Sequence, residues 1–242
     1  MDTIDAVYDS ASDPGPAVGL IVLQSDEVLE HELAAWLPSG YRRLHTRIPN
    51  GTRVCADALR EMERDLPGAA RLLPAAVSFD VVAYGCTSAS TLIGEARVAE
   101  LVGGVVPGAA VTNPLTAAKA RLASLGVSRI GLLTPYVPDI SRALVEQLEA
   151  AGIEVGHVAT FDEQDDRRVA RISPRSVCEA LVALGRRRDC DAVFGSCTNL
   201  RGLGILDEAA GRTGKPVFTS NAALAWHIEQ LVTDSTRSKT PS

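Results

Sequence analysis

Short apolar runs alternate with longer segments of helical periodicity along most of this chain. The runs 18–23, 81–84 and 129–134 have the length and composition of buried strands, while 28–36 and 91–102 carry apolar residues at helical spacing. Strands that alternate with helices form parallel sheets, which helices cover on both faces. The pattern therefore predicts an α/β fold.

The two halves of the chain repeat this pattern. The stretch 80–88, DVVAYGCTS, is matched by 191–199, DAVFGSCTN; in each, an acidic residue and an apolar run with a glycine precede Cys-Thr. Gly19 and Gly131 lie in matching strands, at an offset of about 112 residues. We therefore expect a duplicated fold of two similar α/β lobes, each a parallel sheet flanked by helices, that face each other across one cleft.

Composition and charge limit the classes of partner. A hydrophobic content of 46% supports a folded core, and a net charge of −6 argues against nucleic-acid binding, which needs a clustered basic surface. No run reaches the roughly 18 apolar residues of a membrane span, and the acidic start MDTID is unlike a secretion signal. These features predict a cytoplasmic protein that binds neither nucleic acid nor membrane; a homo-oligomer stays open.

Five cysteines are present, and two of them stand out by position. Cys86 and Cys197 follow strand tips in the repeated stretch, whereas Cys55, Cys178 and Cys190 lie in or beside helical segments, where we expect packed, inert thiols. The odd count and the lack of Cys-x-x-Cys spacing argue against a disulfide framework and against zinc. No glycine-rich nucleotide motif or P-loop lysine occurs either, so we expect no cofactor.

Two facing thiols can carry out acid–base or covalent chemistry. Each is predicted to open a helix, whose dipole and free N–H groups would stabilise the thiolate. On opposite sides of a substrate carbon, one thiolate can remove a proton while the other thiol supplies one, which inverts a stereocentre. If a thiolate instead adds to a double bond, rotation about the former double bond becomes free. The simpler alternative is a pair of inert, buried cysteines.

Several polar residues are predicted to lie with the thiols, because ligands of such folds bind beyond the carboxyl ends of the strands. The hydroxyls of Thr87, Ser88 and Thr198 can hold a carboxylate together with backbone N–H groups. Asp26 has two interpretations, a helix cap or a ligand for a cationic group. The strand-end residues expected around the cleft are Asp26, Cys86, Tyr136, Asp165 and Cys197.

Five motifs together resemble a known enzyme superfamily. They begin at Tyr84 (YGCTS), Leu133 (LTPY), Val169 (VARISP), Ser196 (SCT) and Thr219 (TSNAALAW). The chain resembles the aspartate/glutamate racemase superfamily and, within it, the branch of maleate cis-trans isomerases, arylmalonate decarboxylases and ectoine-utilisation proteins. The resemblance extends from about Val18 to Trp226.

This resemblance implies a fold and an active site. The fold would be two pseudo-symmetric Rossmann-like lobes with the active site in the cleft between them. Cys86 and Cys197 would be the catalytic pair, and Tyr136 would hydrogen-bond a substrate carboxylate. Thr87, Ser88 and Thr198 match the carboxylate-binding positions. Decarboxylases of this branch lack a cysteine at the position of Cys86, so the pair favours racemisation or isomerisation.

Domain limits follow from the repeat and the resemblance. We expect a flexible tail over 1–16, a first lobe over 17–114 and a second lobe over 115–221. Asn221 is predicted to cap a final helix, 222–234, that crosses back to the first lobe, and 235–242 is expected to be a second flexible tail.

Two departures from the maleate isomerase pattern concern the substrate. Those enzymes carry Asn at the first strand tip and in the loop before the second-lobe Arg-Ile-Ser-Pro, where this chain has Asp26 and the pair Asp165 and Asp166. Carboxylates there would repel a dicarboxylate and suit an ammonium group. This resembles the ectoine-utilisation members, for which racemisation of an acetylated diaminobutyrate is implied.

Three functions remain open from the sequence. The leading one is a cofactor-independent racemase or isomerase acting on a small amino-acid-like carboxylate. The second is maleate cis-trans isomerisation, or an arylmalonate decarboxylase-like reaction, with Cys86 adding to the double bond and Cys197 returning the proton. The non-enzymatic alternative is a protein that only binds a small carboxylate.

Overall fold

The protein is represented by a computed structural model, which describes residues 1, 3–7, 15–51 and 56–239. The described strands are β1 Ala17–Leu23, β2 Arg42–Ile48, β3 Val81–Gly85, β4 Ala110–Thr112, β5 Arg129–Thr134, β6 Glu154–Thr160, β7 Ala192–Gly195 and β8 Val217–Thr219. The described helices are α1 Leu29–Trp36, α2 Ala56–Arg71, α3 Thr87–Ile93, α4 Glu95–Gly103, α5 Pro114–Leu125, α6 Pro138–Glu149, α7 Asp166–Val169, α8 Pro174–Gly185, α9 Leu206–Thr213 and α10 Ser220–Lys239.

The strands form two four-stranded parallel sheets with the same internal order. The first has the order β2-β1-β3-β4 and the second β6-β5-β7-β8. Helices pack against both sheets, α2 and α4 on the first, for example, and α6 and α8 on the second. The predicted α/β fold of two similar lobes is therefore confirmed.

The position of a strand in its sheet matches its hydrophobicity. Every residue of the inner strands β1, β3 and β7 is buried. The edge strands β2 and β6 carry charged residues and are partly exposed. This is expected because a strand with helices on both faces reads as a continuous apolar run, whereas an edge strand meets solvent.

The helix expected over 91–102 is instead two helices. α3 ends at Ile93 and α4 begins at Glu95, and Gly94 between them has φ 92° and ψ 140°. Only glycine adopts such a conformation at low cost, so the break is encoded by this residue. The prediction missed it because the apolar periodicity continues across Gly94.

The second repeat differs from the first after its cysteine. Cys86 is the N-cap of α3, as predicted, whereas turns follow Cys197 and the next helix, α9, begins only at Leu206. The prediction that both thiols open helices is therefore wrong for Cys197. In the segment between Cys197 and α9, the amides of Gly202 and Leu203 donate to Glu32 of the first lobe.

The final helix α10 packs on α1, α5, β3 and β4, which brings the C-terminal part of the chain onto the first sheet. Asn221 does not cap it: the amide of Ala222 donates to the Thr219 hydroxyl, and the Asn221 side chain binds elsewhere. The limits expected for the tails, the two lobes and the crossing helix stay predictions.

The structure describes two of the three remaining cysteines. Cys178 and Cys190 are buried, as predicted, and Cys55 lies outside the described residues. Within the described parts of the chain, no helix combines the length and the apolar character needed to cross a membrane.

Gly156 provides a test of the fold. The pairing of β5 with β6 passes from Val155 to His157 and leaves Gly156 out, and a Cβ on Gly156 would lie 2.1 Å from the Asp189 carbonyl oxygen. Because that neighbour is backbone, Gly156→Ala should lower the free energy of unfolding by about 1–3 kcal/mol, as overpacking does.

Urea unfolding measures this change, and Gly211→Ala is the matched control. Nothing lies within 4 Å of a Cβ at Gly211, in α9. A helical Gly→Ala change of this kind should raise stability by about 0.4–1 kcal/mol. Equal effects of the two substitutions would contradict the close approach at Gly156.

Candidate active site

One cleft lies beyond the carboxyl ends of the inner strands and contains both conspicuous thiols. Its interior is narrow, with a cavity volume of about 20 Å³. Its walls, within the described part of the chain, are formed by the predicted residues Cys86, Thr87, Ser88, Tyr136, Asp166, Cys197 and Thr198 and by Leu23, Asn50, Gly51, Ala58 and Met62. Side chains from both lobes therefore meet at a single small site.

Cys86 is held at the start of α3. Its Sγ accepts the Ala89 amide at 3.4 Å and lies 3.5 Å from the Ser88 hydroxyl. The side chain is almost fully buried, at 3% exposure. Its place at the tip of β3, directly before a helix, is the one that the sequence predicts.

Cys197 is held in an unusual backbone conformation. Its φ is 137°, in the left-handed region that non-glycine residues rarely adopt. Its amide donates to the Ser220 hydroxyl at 3.0 Å, and its Sγ accepts the Asn199 amide at 3.3 Å. Such strain persists only where the surroundings enforce it, and it concentrates at functional sites.

Both thiols are protonated in the empty cleft at neutral pH. Burial raises the pKa of Cys86 to about 11, against hydrogen bonds from Ser88 and Ala89 that lower it, and Asp166 and Asp26 raise it further. Burial also raises the pKa of Cys197 well above its usual value, again with Asp166 and Asp26 contributing. The expected N–H contacts do lower the pKa of each thiol, but desolvation outweighs them.

The predicted hydroxyl residues lie around the thiols. The Thr87 hydroxyl is 2.9 Å from that of Ser220, and the Thr198 hydroxyl donates to the Gly85 carbonyl at 3.3 Å. Tyr136 is buried beside Cys197, and its hydroxyl accepts a hydrogen bond from Ser196 at 3.5 Å. These groups give the cleft several hydrogen-bonding positions and no cationic side chain among its described lining residues.

Asp26 lies behind the cleft wall and is not among the lining residues. Its Oδ1 accepts the amides of Val28 and Leu29, both at 2.8 Å, so the helix-cap interpretation holds for this oxygen. Its Oδ2 is buried, and the Thr198 side chain interacts with this carboxylate. Burial raises the pKa of Asp26, although the two amides and Thr198 lower it.

The adjacent residues Asp165 and Asp166 face different surroundings. Asp165 is the N-cap of α7 and binds Arg167 at 2.8 Å, and that contact lowers its pKa. It does not line the cleft. Asp166 is buried, lines the cleft and accepts a hydrogen bond from the Ser25 hydroxyl; burial raises its pKa. Of the predicted pair, only Asp166 is placed to meet a substrate.

Sequence reasoning missed the residues that support the site from behind. Ser220, fully buried, connects the Thr87 hydroxyl with the Cys197 amide. Asn199 accepts the Glu27 amide and donates to the Asp166 carbonyl. The signal was present, because Ser220 lies in one quoted motif and Asn199 ends the repeated stretch, but a motif does not say which atoms meet.

The arrangement supports proton transfer and thiol addition. Two sulfur atoms border one small space, and hydroxyl groups beside them can orient a carboxylate. Two histidines at matching positions of the repeat, His45 and His157, are not among the lining residues. His45 is bound to Glu30, and His157 is exposed. Within the residues that the structure describes, no His, Cys, Asp and Glu side chains cluster as metal ligands would.

Comparisons with known proteins agree with this geometry. A maleate isomerase of Geobacillus stearothermophilus is 25% identical over 228 residues, which cover 87% of this chain and 89% of the relative. A crystal structure of a maleate isomerase variant from Pseudomonas putida S16 with maleate has a TM-score of 0.82 and 21% identity, over 90% of this chain and 92% of that one.

A second solved structure is a Nocardia farcinica maleate cis-trans isomerase mutant with a covalently bound succinylcysteine intermediate. It has a TM-score of 0.76 and 24% identity, over 90% of this chain and 93% of that one. At such identities the likeness of the structures establishes the fold. The relatives favour the second enzyme interpretation over the racemase, and the link to ectoine utilisation stays a prediction.

The family itself is shown by a model of its sequences. The model described as arylmalonate decarboxylase, Amdase, matches residues 56–242, which is most of the chain and includes both thiols. The protein is therefore an enzyme of the isomerase and decarboxylase type. Because this match covers more than half of its length, the chain belongs to the Amdase family.

Proposed function

We propose that this protein is a cofactor-independent cis-trans isomerase of a small dicarboxylate of the maleate type. The observation that carries the proposal is the presence of Cys86 and Cys197, from opposite lobes, in one small cleft. The names of the relatives support the reaction class, since a maleate isomerase matches most of the chain. The covalent intermediate named for the Nocardia farcinica enzyme supports thiol addition.

The reaction starts when the Cys86 thiol gives its proton to solvent and becomes a thiolate, while Cys197 stays a thiol. The Cys86 thiolate adds to one olefinic carbon, and the electron pair of the double bond moves to the neighbouring carbon. Cys197 gives that carbon its proton, and rotation about the new single bond follows. The Cys197 thiolate then takes the proton back, the double bond forms again and the carbon–sulfur bond breaks. Both cysteines return to their starting states, so the conversion needs no external oxidant, reductant or co-substrate.

The hydroxyl groups of the cleft are suited to orient the carboxylates. Thr87 and Ser88 lie next to Cys86, and Thr198 lies next to Cys197, so each thiol has a hydrogen-bonding group beside it. Tyr136 is close to Cys197 and can bind the same substrate group. Because the substrate must rotate about its central bond, at least one carboxylate has to exchange partners during the reaction.

A second candidate is racemisation of an amino-acid-like carboxylate, for which an acetylated diaminobutyrate is one example. The specific observation in its favour is Asp166, a buried carboxylate in the cleft wall, with Asp26 close behind. An ammonium group would be attracted by these carboxylates, whereas a second carboxylate would be repelled. The same thiols would then exchange the proton at Cα from opposite faces.

Turnover by wild type, Cys86→Ser and Cys197→Ser separates these functions. Proton NMR in deuterated water should show conversion of maleate to fumarate by wild type, and each substitution should reduce it by at least about a hundredfold. Serine is chosen because it is close to cysteine in size and lacks the thiol, so a loss of turnover can be assigned to the sulfur atom.

The other outcomes identify the alternatives. Exchange of the Cα proton of a diaminobutyrate derivative without conversion of maleate would favour the racemase. Release of CO2 from an arylmalonate would indicate decarboxylation. Saturable binding of these carboxylates without turnover of any of them would indicate a binding protein and overturn the proposal.

The pH dependence of thiol alkylation tests the electrostatics of the cleft. Because the Cys86 pKa is raised to about 11, its alkylation by iodoacetamide should increase about tenfold per pH unit between pH 7 and 10, as the thiolate fraction does. Asp166→Asn removes a carboxylate that raises this pKa, so the profile should move to lower pH.

Asp165→Asn is the matched control, since this neighbour binds Arg167 outside the cleft. Peptide mapping by mass spectrometry assigns the alkylated residue. A profile that Asp166→Asn leaves unchanged, or one that both substitutions move equally, would contradict the placement of Asp166.

A further inference from the structure

A buried carboxylate lies outside the cleft lining and connects the two lobes. Glu32, on α1, is 1% exposed. Its Oε1 accepts the amides of Gly202 and Leu203 at 2.6 and 2.7 Å, and its Oε2 accepts the Asn221 side-chain amide at 2.8 Å. A carboxylate removed from water is retained only where such donors compensate its desolvation.

Asn221 connects Glu32 to the backbone beside the cleft. Its Nδ2 donates both to Glu32 and, at 2.8 Å, to the carbonyl of Thr198, the residue after Cys197. Both partners are acceptors, so the amide nitrogen has to face them and the amide orientation is fixed. Glu32 is thus two hydrogen bonds from the backbone next to Cys197.

The backbone at Cys197 needs such support. Its φ of 137° costs energy, and the structure must prevent relaxation to an ordinary conformation. Hydrogen bonds hold the strained residue and the segment that follows it: Ser220 accepts the Cys197 amide, Asn221 binds the Thr198 carbonyl, and Glu32 binds the amides of Gly202 and Leu203. Glu32 makes or orients three of these four contacts.

We propose that Glu32 is a positioning residue for Cys197, which acts through Asn221 and the 202–203 backbone to keep the sulfur directed into the cleft. It touches no substrate. The inference rests on the proposed function, in which Cys197 carries the proton, but the placement of Cys197 can be measured without a substrate.

Glu32→Gln is the informative substitution because it keeps the shape and replaces one accepting oxygen with a donating NH₂ group. If the introduced glutamine keeps its oxygen on the amides of Gly202 and Leu203, its NH₂ group faces the donor of Asn221. Rotation of the Asn221 amide would remove that conflict but would place an oxygen against the Thr198 carbonyl. In the first arrangement a buried N–H of Asn221 loses its acceptor, and in the second the Thr198 carbonyl loses its donor; either unsatisfied group destabilises the local conformation.

The experiment compares wild type, Glu32→Gln and Asn221→Ala, with Glu179→Gln as control. Glu179 also joins two elements, α8 and α9, through Arg212, but at the surface, where an ion pair contributes little. For each protein, site-resolved iodoacetamide alkylation of Cys86 and Cys197 is measured at one pH, together with kcat and KM for maleate.

Glu32→Gln should increase alkylation of Cys197 at least about fivefold, because a thiol at 5% exposure becomes accessible when its loop relaxes, and leave Cys86 within about twofold. It should lower kcat by about a hundredfold with little change in KM, as a misplacement of about 1 Å does. Asn221→Ala should act alike, and the double variant should be no worse than either single one. Glu179→Gln should change none of these values.

Unchanged Cys197 alkylation in folded Glu32→Gln, or equal changes at both thiols, would overturn the inference. Additive effects of the two substitutions would also contradict action through Asn221. If Cys197 alkylation changes as expected while wild type fails to convert maleate, the positioning role stands and the proposed reaction is wrong.

Discussion

The burial of two thiols in one cleft, with one carboxylate in its wall and another behind it, is the constraint on which the rest of the structure depends. Cys86 and Cys197 are 3% and 5% exposed, and Asp26 and Asp166 are close enough to raise the pKa of both. No described lining residue supplies a compensating positive charge. The site is therefore costly to ionise, and contacts between the lobes, such as those of Glu32 with Gly202 and of Ser220 with Thr87, hold its two sides together.

The free-energy cost of forming a thiolate limits which substrates can react in this cleft. With a pKa of about 11, forming the Cys86 thiolate in the empty cleft at pH 7 costs on the order of 5 kcal/mol. Binding has to recover part of this, through hydrogen bonds that form only in the complex or through concerted transfer of the thiol proton. An ammonium group beside Asp166 would lower the cost electrostatically, while a dicarboxylate needs the hydroxyls of Thr87, Ser88 and Thr198 to compensate its charge.

Local pattern was sufficient to predict the strands, the repeat and the placement of Cys86, because apolar runs and a helix start are encoded by neighbouring residues. The surroundings of Cys197 were not predictable in this way, since its conformation depends on Glu32, Asn221 and Ser220, which are distant in sequence. Asp165 and Asp166 show the same limit. The sequence marked the acidic pair, but only the tertiary structure determines which carboxylate turns inward and which binds Arg167.

The central claim is that Cys86 forms a carbon–sulfur bond to a substrate while Cys197 moves the proton. The most direct measurement is peptide mapping by mass spectrometry after acid quench of the protein during turnover of maleate. The account predicts a succinyl adduct on the peptide that contains Cys86, and none in the Cys86→Ser protein. An adduct on Cys197, or steady conversion of maleate with both thiols unmodified, would contradict it.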